Sequence, residues 1–180
     1  MRRRLLPKAP MEIDVWQGDI AELEVDALVV AASESLFMTA GAGASVRRRG
    51  GAQVERAAVE QGPLPVGAAV ATSGGALIAP YVIHAVAVGH DRIPDPDRLV
   101  AATRSALAFA EPLQLRRVAI ALLGVEHGAF GVAEAADTLV ATLLSTAPAM
   151  PLESVVIATA HPAETHAVIG ALARQRSSVR

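Results

Sequence analysis

Cysteine is absent from the chain, and lysine occurs once, at Lys8. The first absence excludes disulfides, thiolate nucleophiles and Cys-based zinc sites. The second, set against many arginines, reads as base-composition bias and carries no mechanism. Aromatic residues make up only 3%, too few for the stacking platforms on which single-stranded nucleic acid is bound. An excess of one charge is also lacking. With a formal net charge of −2, no global field attracts nucleic acid or an anionic membrane, so an anion site has to be built locally from amides or a few arginines. No apolar run reaches the length of a membrane span, and the opening MRRRLLPKAP has only two adjacent leucines before Pro7, short of a signal peptide's apolar region. A cytoplasmic protein without a membrane partner is expected, with the composition also against a nucleic-acid partner.

What is present is material for a core. Hydrophobic residues reach 52% and charged residues 19% over 180 positions, which suits one domain. Residues 1–10, with two prolines and four basic side chains, read as a tail, 11–176 as the domain and 177–180 as a second tail. Strands are expected at 12–17, at 26–32 (DALVVAA), at 67–73 and 81–88 as an antiparallel pair, at 117–122 (RVAIAL) and at 154–159 (SVVIAT). A turn or short helix fits 20–24. Helices are expected at 41–61, as two short pieces or one kinked piece around Gly50 and Gly51, then at 96–110 behind an Asp95 cap, at 133–146, and at 162–176 opening on Pro162. Continuous apolar runs such as DALVVAA call for strands covered on both faces. The alternation of strands and helices then gives a three-layer α/β/α domain with a mixed, mostly parallel central sheet.

In such a sheet, ligands bind beyond the carboxyl ends of the strands. Three features fall there: Asp19 after the first strand, the stretch SESLFMTAGAGAS at 33–45 after the second, and LGVEHGAFG at 123–131 after RVAIAL. Gly41 and Gly43, with small side chains at 40, 42, 44 and 45, leave amide N–H groups unshielded beside a helix start, which holds phosphate without a lysine. The competing reading, a small-residue turn for close helix–sheet packing, fits the loop equally well. There is no Walker Gly-Lys-Ser/Thr ending, and no third glycine completes a dinucleotide fingerprint.

Gly18-Asp19-Ile20, VDALVVAAS at 25–33, SVRRRGG at 45–51, QGPLPVGAAVATSGGALIAPYVIHAV at 61–86 and LGVEHGAFG at 123–131 together resemble the macro domain family, collinearly over 11–144. The resemblance implies a cleft for ADP-ribose or a related adenine nucleotide, with ADP-ribosylated protein as a further partner class and with neither cofactor nor metal. Some members of the family hydrolyse ADP-ribosyl bonds or O-acetyl-ADP-ribose; others only bind. Carried onto this chain, Asp19 would accept from the adenine amino group and the Ile20 amide would help define that pocket. Gly41, Ala42, Gly43, Ala44, Ser45 and Val46 would wrap the diphosphate with main-chain amides. Gly124, Val125, Glu126, His127, Gly128, Ala129 and Phe130 would cover the diphosphate and distal ribose, Phe130 as an apolar wall near the sugar.

The chain also departs from the family. Val30-Ala31-Ala32-Ser33 stands where members read Asn-Ala-Ala-Asn, leaving Ser33 at the distal ribose, and Gly43 stands where many hydrolytic members carry Asp. Relatives favour small residues at Val125, Glu126 and His127. A carboxylate beside a diphosphate is repulsive by about 1 kcal/mol or more, so Glu126 is expected to point outward, pair with an arginine or obstruct the site. The alternative makes Glu126 a general base with His127 orienting it. Three readings follow: a binder of ADP-ribose or a related nucleotide, an ADP-ribosyl hydrolase or O-acetyl-ADP-ribose deacetylase, and a degenerate fold acting as a scaffold or RNA-binding module. Elsewhere, His84 reads as a packed strand histidine, His161 and His166 lack a third metal ligand, Arg47, Arg48 and Arg49 form a solvated face, and the Asp91, Asp95, Asp97 cluster has the look of a helix cap.

Overall fold

The computed structural model describes residues 11–128, 130–146 and 152–178. The expected tail at 1–10 lies outside them. Six strands form one sheet: β1 (Glu12–Gln17), β2 (Ala27–Ala32), β3 (Ala69–Ser73), β4 (Tyr81–Val86), β5 (Arg117–Ala121) and β6 (Ser154–Thr159), in the order β1-β6-β5-β2-β4-β3. Every neighbouring pair is parallel except β3 and β4, the antiparallel pair expected from the sequence.

The period-2 alternation of the strands explains why the central ones are apolar throughout. Ala27 and Val29 of β2, with Ile83, Val118, Ile120 and Val155, belong to a core shared with Leu99, Leu139 and Val168. These come from α3 (Pro96–Leu107), α4 (Val132–Thr146) and α5 (Pro162–Ser178). Leu28 and Val30, with Val82 and Ala119, face the other way and pack with Val46 and Val54, from α1 (Gly41–Gly50) and α2 (Ala52–Val59). A strand with helices on both faces has no polar side to present, and DALVVAA follows from that. The two-helix reading of residues 41–61 is the one observed, because Gly51 lies between the helices at φ +95°, where the α-helix cannot continue. The closing helix runs two residues beyond the expected Arg176, to Ser178. Among the described residues, no helix is long and apolar enough to cross a membrane.

Parallel pairing of β1, β6, β5, β2 and β4 sends all five carboxyl ends to one edge of the sheet. The loops that leave there, together with the start of α1, enclose a cleft.

Candidate functional site

The cleft consists of two chambers. The larger, about 750 Å³, runs past Asp19, Ile20, Ser45 and Val125 to residues 158–161 and Glu164. The smaller, about 250 Å³, is lined by Ser33, Phe37, Met38, Gly124 and the turn carrying His90 and Arg92. Ala40 and Glu126 line both, so these two residues mark the boundary.

At the far wall of the larger chamber, Asp19 opens the 3-10 turn Ile20–Glu22 and accepts from the Ala21 amide at 3.1 Å. The Ser45 hydroxyl donates to its carboxylate at 2.6 Å, and Arg49 Nε donates to Oδ2 at 3.0 Å. Burial raises its pKa, but the hydrogen bonds from Ser45, Ala21 and Arg49 and the Arg49 charge outweigh this and hold the carboxyl below its ordinary value. It is therefore an anion, and three donors make four hydrogen bonds to it, two on each oxygen, the Ser45 hydroxyl reaching both. Arg48 also approaches Asp19, at 3.6 Å, while Arg47 pairs with Glu55 at 2.9 Å. The expected solvated arginine face is thus corrected in part: all three side chains are exposed, but two of them converge on Asp19.

The stretch expected as a phosphate loop is the first two turns of α1. Ala40 is its N-cap, with extended backbone and no side-chain hydrogen bond to the helix. Ala44 N–H is already committed to Ala40 O at 3.0 Å, the hydroxyl of Ser45 serves Asp19, and the side chain of Val46 is in the core. Amides without an acceptor inside the helix are consequently those of its first three residues, Gly41, Ala42 and Gly43, the donors that every α-helix leaves open at its amino end. Gly41 has φ +52°, and a Cβ there would collide with the Glu126 carboxylate.

Of the three expectations for Glu126, only the third, obstruction of the site, is met, and that in part. It points inward, makes no ion pair among the described residues, and its Oε1 accepts the Ala42 amide at 2.9 Å. Burial pushes its carboxyl up to about 7, the Ala42 hydrogen bond opposes this, and the Glu164 carboxylate adds to the rise. The hollow is thus narrowed at its middle by the chain's own side chain, and the chambers on either side stay open.

Of the other residues singled out, Ser33 lines the smaller chamber with its hydroxyl 3.0 Å from that of Ser35, and Gly124 lines it opposite. Gly128 is exposed. Phe130 is corrected: it is 4% exposed, belongs to the core under α3 and α4, and lines neither chamber. A Cβ on Gly124 would strike its ring, so it supports the loop from beneath. Ala129 lies outside the described residues, as does the side chain of His127, so the pairing of His127 with Glu126 has no geometry to report. His84 is the packed histidine expected: fully buried, with Nε2 3.0 Å from Thr72 Oγ1 and its pKa lowered by burial to about 4. Asp95 caps α3, accepting from Asp97 N at 2.9 Å. No cluster of three metal-ligating side chains occurs among the described residues.

Two segments of the wall escape the sequence reading. Residues 88–92 follow β4, which reads as a hairpin partner of β3, although it also pairs in parallel with β2 and therefore ends at the cleft. Residues 158–164 follow β6, whose unbroken apolar run is the signal of a central parallel strand with its carboxyl end at the same edge. Phe37, 54% exposed at the mouth of the smaller chamber, is the aromatic surface that Phe130 is not.

Residues 29–139 match the sequence model of the Macro domain family. A protein of Mycobacterium tuberculosis is 34% identical over 130 residues, covering 72% of this chain and 36% of its own length, so the chain spans about a third of that relative. Among solved structures, the Oceanobacillus iheyensis macrodomain with ADP superposes with a TM-score of 0.85 at 20% identity, covering 91% of each chain. The Trypanosoma brucei macrodomain in complex with ADP-ribose gives 0.83 at 21%, covering 89% of this chain and 69% of the other. At such identities the structural likeness speaks for the fold. The sequence match runs through β2, α1, β4, β5 and half of α4 and takes in the whole lining of the smaller chamber, and by it the chain belongs to the Macro domain family.

Proposed function

We propose that the cleft binds ADP-ribose or a related adenine nucleotide. The observation that carries this reading is the arrangement of two chambers meeting at the amino end of α1, with an ionised Asp19 in the wall of the larger one. An adenosine moiety in the larger chamber would meet the Asp19 carboxylate, its amino group taking the place of one of the present donors. A diphosphate would cross the boundary at the α1 amides, where N–H groups and helix dipole favour an anion. The distal ribose would enter the smaller chamber beside Ser33 and Phe37. Relatives of the same fold have been solved with ADP and with ADP-ribose, which supports the ligand class.

Turnover is not part of the proposal. Gly43 has no side chain to hold a water, and the Glu126 carboxylate is tied to the Ala42 amide. Titration calorimetry with ADP-ribose, ADP and AMP tests the reading. Saturable binding to the wild type is expected, weakened at least tenfold in Asp19→Ala, with the unfolding midpoint recorded alongside because Ser45 and Arg49 lose their partner. If the wild type binds none of the three, the reading is wrong.

A further inference from the structure

We propose that Glu126 is a specificity-determining residue: its carboxylate sits as an internal competitor on the anion seat at the amino end of α1, so a ligand with a diphosphate bridge must displace it, whereas a nucleoside confined to the larger chamber need not. The inference rests on the cleft being a nucleotide site, and it concerns which nucleotides that site admits.

Three independent features of the geometry agree. Helix α1 has no cap of its own, since Ala40 offers no side-chain acceptor, and the acceptor is supplied by Glu126 from a loop 84 residues away, 2.9 Å from Ala42 N. Position 41 is glycine, and only the absence of a Cβ there leaves room for the carboxylate. Glu126 also lines both chambers, so a ligand that spans them has to pass the space it occupies.

The chemistry is that of two anions contending for one donor set. A carboxylate and a phosphate both accept from the α1 amides, and they repel each other at the distance that sharing would require. No arginine or lysine is paired with Glu126 among the described residues, and the nearby charge acting on it is another carboxylate, Glu164. With no basic partner on it, the Glu126 carboxylate has to turn away or take up a proton while a diphosphate binds beside it. Adenosine carries no phosphate and so brings no second anion to the Ala42 amide, although Ala42 lines the larger chamber.

The test compares ADP-ribose and adenosine by calorimetry on the wild type, Glu126→Ala and Glu126→Gln. Glu126→Ala is expected to bind ADP-ribose at least tenfold more tightly, with adenosine unchanged within about twofold. Glu126→Gln, which keeps the acceptor and the size but not the charge, should fall between wild type and Glu126→Ala, and it guards against a folding artefact. ADP-ribose affinity that is unchanged or weaker in Glu126→Ala overturns the inference, as does an equal gain for both ligands, which would mean general opening of the cleft. In either case a nucleotide site survives. Failure of both ligands to bind any of the three proteins removes the nucleotide reading and this inference together.

Discussion

At the scale of single residues, two buried titratable groups act on stability in opposite directions. Glu126 is raised by burial from 4.5 to about 7, so the folded state holds a proton that the unfolded chain has released over that interval. Its contribution is fully present below pH 4.5 and is lost as pH rises through about 7. His84 is lowered from 6.5 to about 4; its contribution is present above 6.5 and is lost as pH falls toward 4. Between pH 4.5 and 6.5 the two largely offset each other. Replacing Glu126 by Gln removes one of them. Relative to the wild type, the variant should gain about 2–3 kcal/mol in unfolding free energy as pH rises from 4.5 to 7, read from denaturant midpoints across that range. Parallel curves for the two proteins would contradict an inward, desolvated Glu126. The sequence marks Glu126 as out of place among small residues and singles out Asp19 and Ser33, which line the larger and the smaller chamber. It does not give the direction of the Glu126 side chain, because that depends on how the loop after β5 is supported by Phe130 and on contacts with Gly41 and Ala42, the latter 84 positions away.

At the scale of elements, local chemistry is most readable where a cap and a period coincide. Asp95 before Pro96 sets the start of α3, and the structure places its carboxylate on the Asp97 amide at 2.9 Å. Asp95→Ala should cost about 1 kcal/mol, seen as a lower thermal midpoint, with nucleotide affinity unaltered because Asp95 lines neither chamber. The start of α1 is the opposite case. It has no capping side chain in its own sequence, so residues 41–46 read both as a phosphate loop and as the start of a helix, and the structure shows the helix, with Val46 buried against the sheet and Glu126 supplying the missing acceptor. The carboxyl ends of β4 and β6 were likewise hidden, since a strand's contribution to the cleft follows from its neighbours and these are set by tertiary pairing.

At the scale of the whole molecule, the sheet has apolar cores on both faces, and each should be sensitive to truncation. Leu28 and Ile120 are fully buried on opposite sides of it. Leu28→Ala and Ile120→Ala should each lower the unfolding free energy by about 2–5 kcal/mol, measured by denaturant titration with an unchanged slope. A near-neutral Leu28→Ala would mean that the layer formed by α1 and α2 is not a packed face. The three-layer arrangement was legible because continuous apolar strands leave few alternatives, and the order β1-β6-β5-β2-β4-β3 was not, because chain order does not specify which parallel strands become neighbours. The glycine at 41 has one more implication. Any larger residue there would force the carboxylate at 126 to shift, so the two positions form an energetic pair. Substituting both should cost distinctly less than the sum of the single changes, and sequence variation that fills the first would be expected to shorten the second.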